Sequence, residues 1–179
     1  LENNSGAESN GFGHQSLENN IGTNANGFGH QSLQNNTGVD SNGFGYLALI
    51  SNTGDYSNGF GNRALQFNSE DSSNGFGYAA LQNNTGVQSN GFGRQALQNN
   101  SGSRSNGFGH LALRSNSGSN NTAIGHQAAY ETSYLTGSNN TFLGSNASYN
   151  NTTIENSTAV GANVTLTNSN TVILGSGSN

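Results

Sequence analysis

The chain has 179 residues with a net charge of −5, of which 30% are hydrophobic and 7% charged, and it has no Lys, Pro, Cys, Met or Trp. Four scattered arginines make no basic stripe to follow a phosphate backbone, no apolar run reaches the length of a membrane span, and no disulfide can form. Nucleic acid binding and membrane insertion by this segment are therefore not expected, and order must come from somewhere other than an ordinary core.

The source of order is repetition. Ser-Asn-Gly-Phe-Gly is first written at Ser9–Gly13 and recurs every sixteen residues, so that the central apolar residue is Phe12, Phe28, Phe44, Phe60, Phe76, Phe92, Phe108 and then Ile124. A fixed period of this length signals a solenoid whose units bury their apolar faces on one another. Positions are numbered here from that central residue. Position +5 is Leu17, Leu33, Leu49, Leu65, Leu81, Leu97 and Leu113, then Ala129, and position +4 is Ser16, Ser32 and thereafter Ala. The central column is assigned to the core, and the Leu column either to the interior of the chain or to a seam between chains.

Position −8 is Asn in all eight coils: Asn4, Asn20, Asn36, Asn52, Asn68, Asn84, Asn100 and Asn116. It begins an Asn-Ser/Thr-Gly turn phrase, broken only by Ile21 at −7 and Glu70 at −6, and amides stacked at strand spacing can bond one another in a structural ladder. The Asn-Gly steps at −2 and −1 resemble hairpin turns, but their upstream side is polar, and isolated hairpins with one apolar strand each could not build a buried face. The expected fold is all-β: a parallel β-solenoid, or β-roll, of about eleven coils, forming a rod roughly 50 Å long. Burial of one Phe and one Leu supplies only roughly 3 to 6 kcal/mol per coil, which favours burial between chains and hence an oligomer. Residues 1–130 form the regular part. Residues 131–179 continue it with irregular spacing, next aligning Leu143, Val160 and Leu174, with a loop insertion at 131–138.

The later coils read Asn-Thr-Ala-Ile-Gly-His-Gln-Ala at 121–128, Asn-Thr-Phe-Leu-Gly-Ser-Asn-Ala at 140–147 and Ser-Thr-Ala-Val-Gly-Ala-Asn-Val at 157–164. This wording resembles the YadA-like head repeats of trimeric autotransporter adhesins and similar repeats of bacteriophage tail fibres. The resemblance implies a left-handed roll, a homotrimer, and an extracellular, cell-surface or virion fibre that attaches to a host or cell-surface receptor. The family's usual repeat is nearer fourteen residues, and seven coils here carry Gly-Phe where it has Ala, Ile or Val.

Position +2 varies most in chemistry: His14, His30, Tyr46, Asn62, Tyr78, Arg94, His110 and His126. As a column it could contact a glycan or protein receptor, against the plainer reading of a variable outer wall. The acids share no column, so no carboxylate pair for hydrolysis is evident, and no catalytic residue, cofactor or metal site is expected. The alternative function is ice binding by flat Asn and Ser/Thr ladders, which requires the −8/−7 columns or the −3/−2 columns to face outward.

Overall fold

A computed structural model describes residues 2–131 and 133–175. Among these, every regular element is a short strand. They are β1 (Asn10–Phe12), β2 (Asn26–Phe28), β3 (Asn42–Phe44), β4 (Asn58–Phe60), β5 (Asn74–Phe76), β6 (Asn90–Phe92), β7 (Asn106–Phe108), β8 (Thr122–Ile124), β9 (Thr141–Leu143), β10 (Ser148–Tyr149), β11 (Thr158–Val160), β12 (Thr165–Leu166) and β13 (Val172–Leu174). Eleven of them form one parallel sheet in the order β1 to β9, β11, β13, and β10 pairs with β12 in a second. The register is one coil per strand: Asn10 lies on Asn26, Gly11 on Gly27, Phe12 on Phe28, and so on to Val160 on Leu174. The chain is thus a β-solenoid with a sixteen-residue repeat.

Side chains alternate along a strand, so in Asn-Gly-Phe the Asn and Phe share one face and Gly takes the other. The Gly side faces inward. A Cβ on Gly91 would lie 3.0 Å from the carbonyl of Ala96 and 3.1 Å from Cγ of Leu81, because the Leu column already fills that space. Leu17, Leu33, Leu49, Leu65, Leu81, Leu97 and Leu113 are all fully buried inside the single chain, with Ala48 through Ala128 beside them.

The expectation for the central column is corrected accordingly. Phe12, Phe28, Phe108 and Ile124 are exposed, Phe12 by 76% and Phe28 by 40%, while Phe44, Phe60, Phe76 and Phe92 are half-buried on the outer face. Leu143, Val160 and Leu174 follow them outward. A sixteen-residue coil is too narrow to hold both a Leu and a Phe, and the Leu column occupies the inside. Where the Leu ends, the inward strand residue grows. Ala129 replaces Leu at +5, and Phe142, at the Gly position of the next coil, is fully buried.

The arc between strands is built unusually. Non-glycine residues with positive φ recur at −4, +3, +5 and +7, as in Gln95 (58°), Leu97 (51°), Asn99 (59°) and Arg104 (54°). Left-handed backbone costs about 1–2 kcal/mol for such residues. Here each such N–H finds a carbonyl on a neighbouring coil: Gln95 on Tyr78, Leu97 on Ala112, Asn99 on Gln82 and Arg104 on Val87, all at 2.8–2.9 Å. Bonding to both neighbours holds a conformation that an isolated coil would not adopt.

Residue 132, within the expected 131–138 insertion, lies outside the described residues. The end of that segment is wall: Leu135 is buried and bridges in parallel to Asn116, and the N–H groups of Ser117 and Gly118 donate to its carbonyl. Leu135 occupies the −8 place of its coil, where Asn stood before.

Candidate functional site: the ladders and the outer face

The −8 asparagines form the expected ladder, and it is internal. Asn20 through Asn116 are buried, and each Nδ2 donates to Oδ1 of the preceding coil's Asn at 2.8 Å. The second Nδ2 proton reaches the carbonyl two residues on, as from Asn36 to Gly38 at 2.8 Å. The ladder therefore satisfies its buried amides within the chain. The −6 column beside it is Gly in every coil but one, Glu70, and a Cβ on Gly102 would stand 1.9 Å from the carbonyl of Gly118 and 2.5 Å from Nδ2 of Asn116. At Leu135 the ladder changes column, passing from Asn116 to Asn121 at 3.0 Å and from Asn121 to Asn140 at 3.2 Å.

The two halves of the Ser-Asn phrase separate. Ser41, Ser57, Ser73, Ser89 and Ser105 are buried, and all five hold the internal ladder from the side, as Ser57 Oγ does for Asn68 at 3.0 Å. Asn10, Asn26, Asn42, Asn58, Asn74, Asn90 and Asn106 face outward. They form a second ladder of 2.9–3.0 Å bonds whose donors point toward the following coil, opposite in sense to the internal one.

Beside this outer ladder runs the phenylalanine column. From Phe28 to Phe108 the rings stack at centroid separations of 4.7–5.0 Å with planes within 4–7° of parallel. Each ring face is covered by the next ring, so the column shows solvent its edges. That geometry excludes sugar stacking on ring faces along the column, since the faces are already occupied. Across all eleven strands these two outward columns contain Asn, Thr, Val, Phe, Ile and Leu and no charged residue. Sequence reading missed this face because it placed Phe inside; the signal was the Gly between Asn and Phe.

The +2 column is exposed over most of its length but is not one continuous platform. His14 stacks on His30 at 4.9 Å, His30 tilts against Tyr46 at 5.3 Å, Arg94 lies over the Tyr78 ring at 5.8 Å, and His110 faces His126 across 3.2 Å between ring nitrogens. Asn62 separates Tyr46 from Tyr78. A further ladder at +6 joins Gln66, Gln82, Gln98 and Arg114.

Near the irregular end, Glu131, Ser133, Tyr149, Asn150 and Thr152 line a cavity of about 150 Å³. The buried Tyr149 donates its hydroxyl to the carbonyl of Ser133 at 2.8 Å. Burial, reinforced by the Glu131 charge, pushes its phenol well above the usual value. Among the described residues no group of three or more His, Asp or Glu is placed to hold a metal ion, and no helix is long and apolar enough to cross a membrane.

These features define a class: a parallel β-solenoid repeat protein, internally laddered by Asn amides, with one flat uncharged face. No family model matches the chain, and no curated protein matches it.

Proposed function

We propose that the chain is a structural segment of an extracellular, cell-surface or virion fibre, assembled side by side with further copies of itself through the Asn/Phe face. The observation that carries this reading is the half-exposed stack of phenylalanine edges on a face without charge. Such a stripe is costly to leave in water. Its ring faces are filled, so it suits a long, flat, apolar partner, and another copy of the chain has the same rise per coil and the same absence of charge. The resemblance of residues 121–164 to trimeric adhesin heads supports three copies. The variable +2 column, with Tyr78 and Arg94, is then the surface left to meet a glycan or protein receptor.

Sedimentation velocity on the whole chain tests the assembly. A trimer that dissociates in the double variant Phe60→Glu, Phe76→Glu, with its circular dichroism retained, is the expected result; a wild-type monomer at tens of micromolar overturns the reading. A second reading, ice binding, draws support from the outward Asn ladder and from its continuation in Thr122, Thr141 and Thr158, although the −8 and −3 columns face inward. Absence of thermal hysteresis in the wild type removes it.

A further inference from the structure

The +2 column contains two histidine pairs on adjacent coils, and they differ in geometry. His14 and His30 stack with planes 20° apart and centroids 4.9 Å apart. His110 and His126 are tilted by 39°, and Nδ1 of His110 stands 3.2 Å from Nε2 of His126. Two imidazole nitrogens each about 2.0–2.1 Å from one cation stand about 2.9 Å apart when they subtend a right angle and about 3.3 Å apart at the tetrahedral angle. The observed separation falls between those limits. We propose that His110 and His126 form a bidentate site for a divalent transition-metal cation that favours imidazole nitrogen, copper(II) above zinc(II), with water completing the coordination.

The backbone holds this site ready. Both histidines follow a strand and a positive-φ glycine, Gly109 and Gly125, and the two coils are locked in register by β7 on β8 and by the Gln127 N–H on the carbonyl of His110 at 2.8 Å. Both rings are accessible: His126 is exposed and His110 partly so. Without metal, a proton on either facing nitrogen makes this contact an N–H···N hydrogen bond whose direction depends on the tautomers. Binding requires the His110 proton on Nε2 and the His126 proton on Nδ1, so that both facing nitrogens offer lone pairs. From the neutral pair this is a tautomer change with no net loss of a proton.

The charges around the pair favour the neutral ring. Partial burial, then His126, then Arg94 on the preceding coil lower the His110 pKa. Protons compete with a cation for imidazole nitrogen, so uptake is expected to weaken at low pH. Arg94 also repels an arriving cation, and its removal should tighten binding most at low ionic strength.

Calorimetric titration of the whole chain with copper(II) chloride, and separately with zinc chloride, in a non-coordinating buffer at pH 7.5 is the test. One copper site per chain is expected, retained in His14→Ala, lost in His126→Ala and at pH 5, and tightened in Arg94→Gln. Circular dichroism of His126→Ala should match the wild type, since an exposed side chain is removed. Copper uptake unchanged in His126→Ala, uptake lost equally in His14→Ala, or no uptake by the wild type would each overturn the assignment.

Discussion

Asn68→Ala probes the internal ladder at the middle of the rod. The two Nδ2 protons of wild-type Asn68 go to Asn52 Oδ1 at 2.8 Å and to the carbonyl of Glu70 at 2.7 Å, with Ser57 Oγ sharing one of them at 3.0 Å. Its Oδ1 accepts from Asn84 at 2.8 Å. After truncation Asn84 still reaches Ser73 Oγ and the Gly86 carbonyl. Asn52 Oδ1 loses its donor inside the coil, where water does not reach, and the part-buried Glu70 carbonyl loses one that water can partly replace. At about 1–3 kcal/mol for a stranded buried group, with a smaller loss at the Glu70 carbonyl, the cost should be about 2–4 kcal/mol. Asn74→Ala is the matched comparison: it removes two 2.9 Å rungs of the outer ladder, from Asn58 and to Asn90, where water can replace them, and should cost about 1 kcal/mol. Urea unfolding followed by circular dichroism measures both, with the slope required to stay constant between variants. If Asn68→Ala lowers stability no more than Asn74→Ala, the inner ladder is not what holds the coils together.

Gly102→Ala should destabilise by about 3 kcal/mol or more, because its Cβ would stand 1.9 Å from the next coil's backbone, whereas Gly91→Ala, whose nearest contacts are 3.0 Å to the Ala96 carbonyl and 3.1 Å to Leu81 Cγ, should cost about 1–3 kcal/mol; the same unfolding experiment ranks them. Gln88→Asn, at an exposed site with φ of 56°, should stabilise by about 0.5 kcal/mol, since Asn tolerates left-handed backbone better. Tyr149 must stay protonated in the fold: its raised pKa means that its contribution is complete below the unfolded phenol value of about 10 and is lost as pH rises above it. Alkaline unfolding of the wild type should therefore begin in the irregular coils, and Tyr149→Phe, which gives up the 2.8 Å bond to Ser133, should show a flatter profile above that pH.

What the sequence determined by itself was the period, and with it the in-register parallel stacking, because identical residues at sixteen-residue intervals can satisfy one another only if each coil lies on the last. The Asn ladder at −8 followed from the same logic, an invariant amide at the start of a recurring turn phrase. Which way each column faces was decided only by the tertiary structure. Phe and Leu are both apolar, and composition favours placing the larger one inside, yet the interior of a sixteen-residue coil has room for one large side chain. The left-handed backbone at Leu81, Leu97 and Leu113 turns that column inward, a conformation no local propensity would suggest and one held by bonds to the coils above and below. Once Leu is inside, strand alternation puts Gly beneath it and sends Asn and Phe out together. The same rule read backwards explains Phe142, which enters the core where Ala129 has left space. The tilt that brings His110 to His126 while His14 merely stacks on His30 is likewise a property of packed neighbours, since the repeat writes both pairs in the same column.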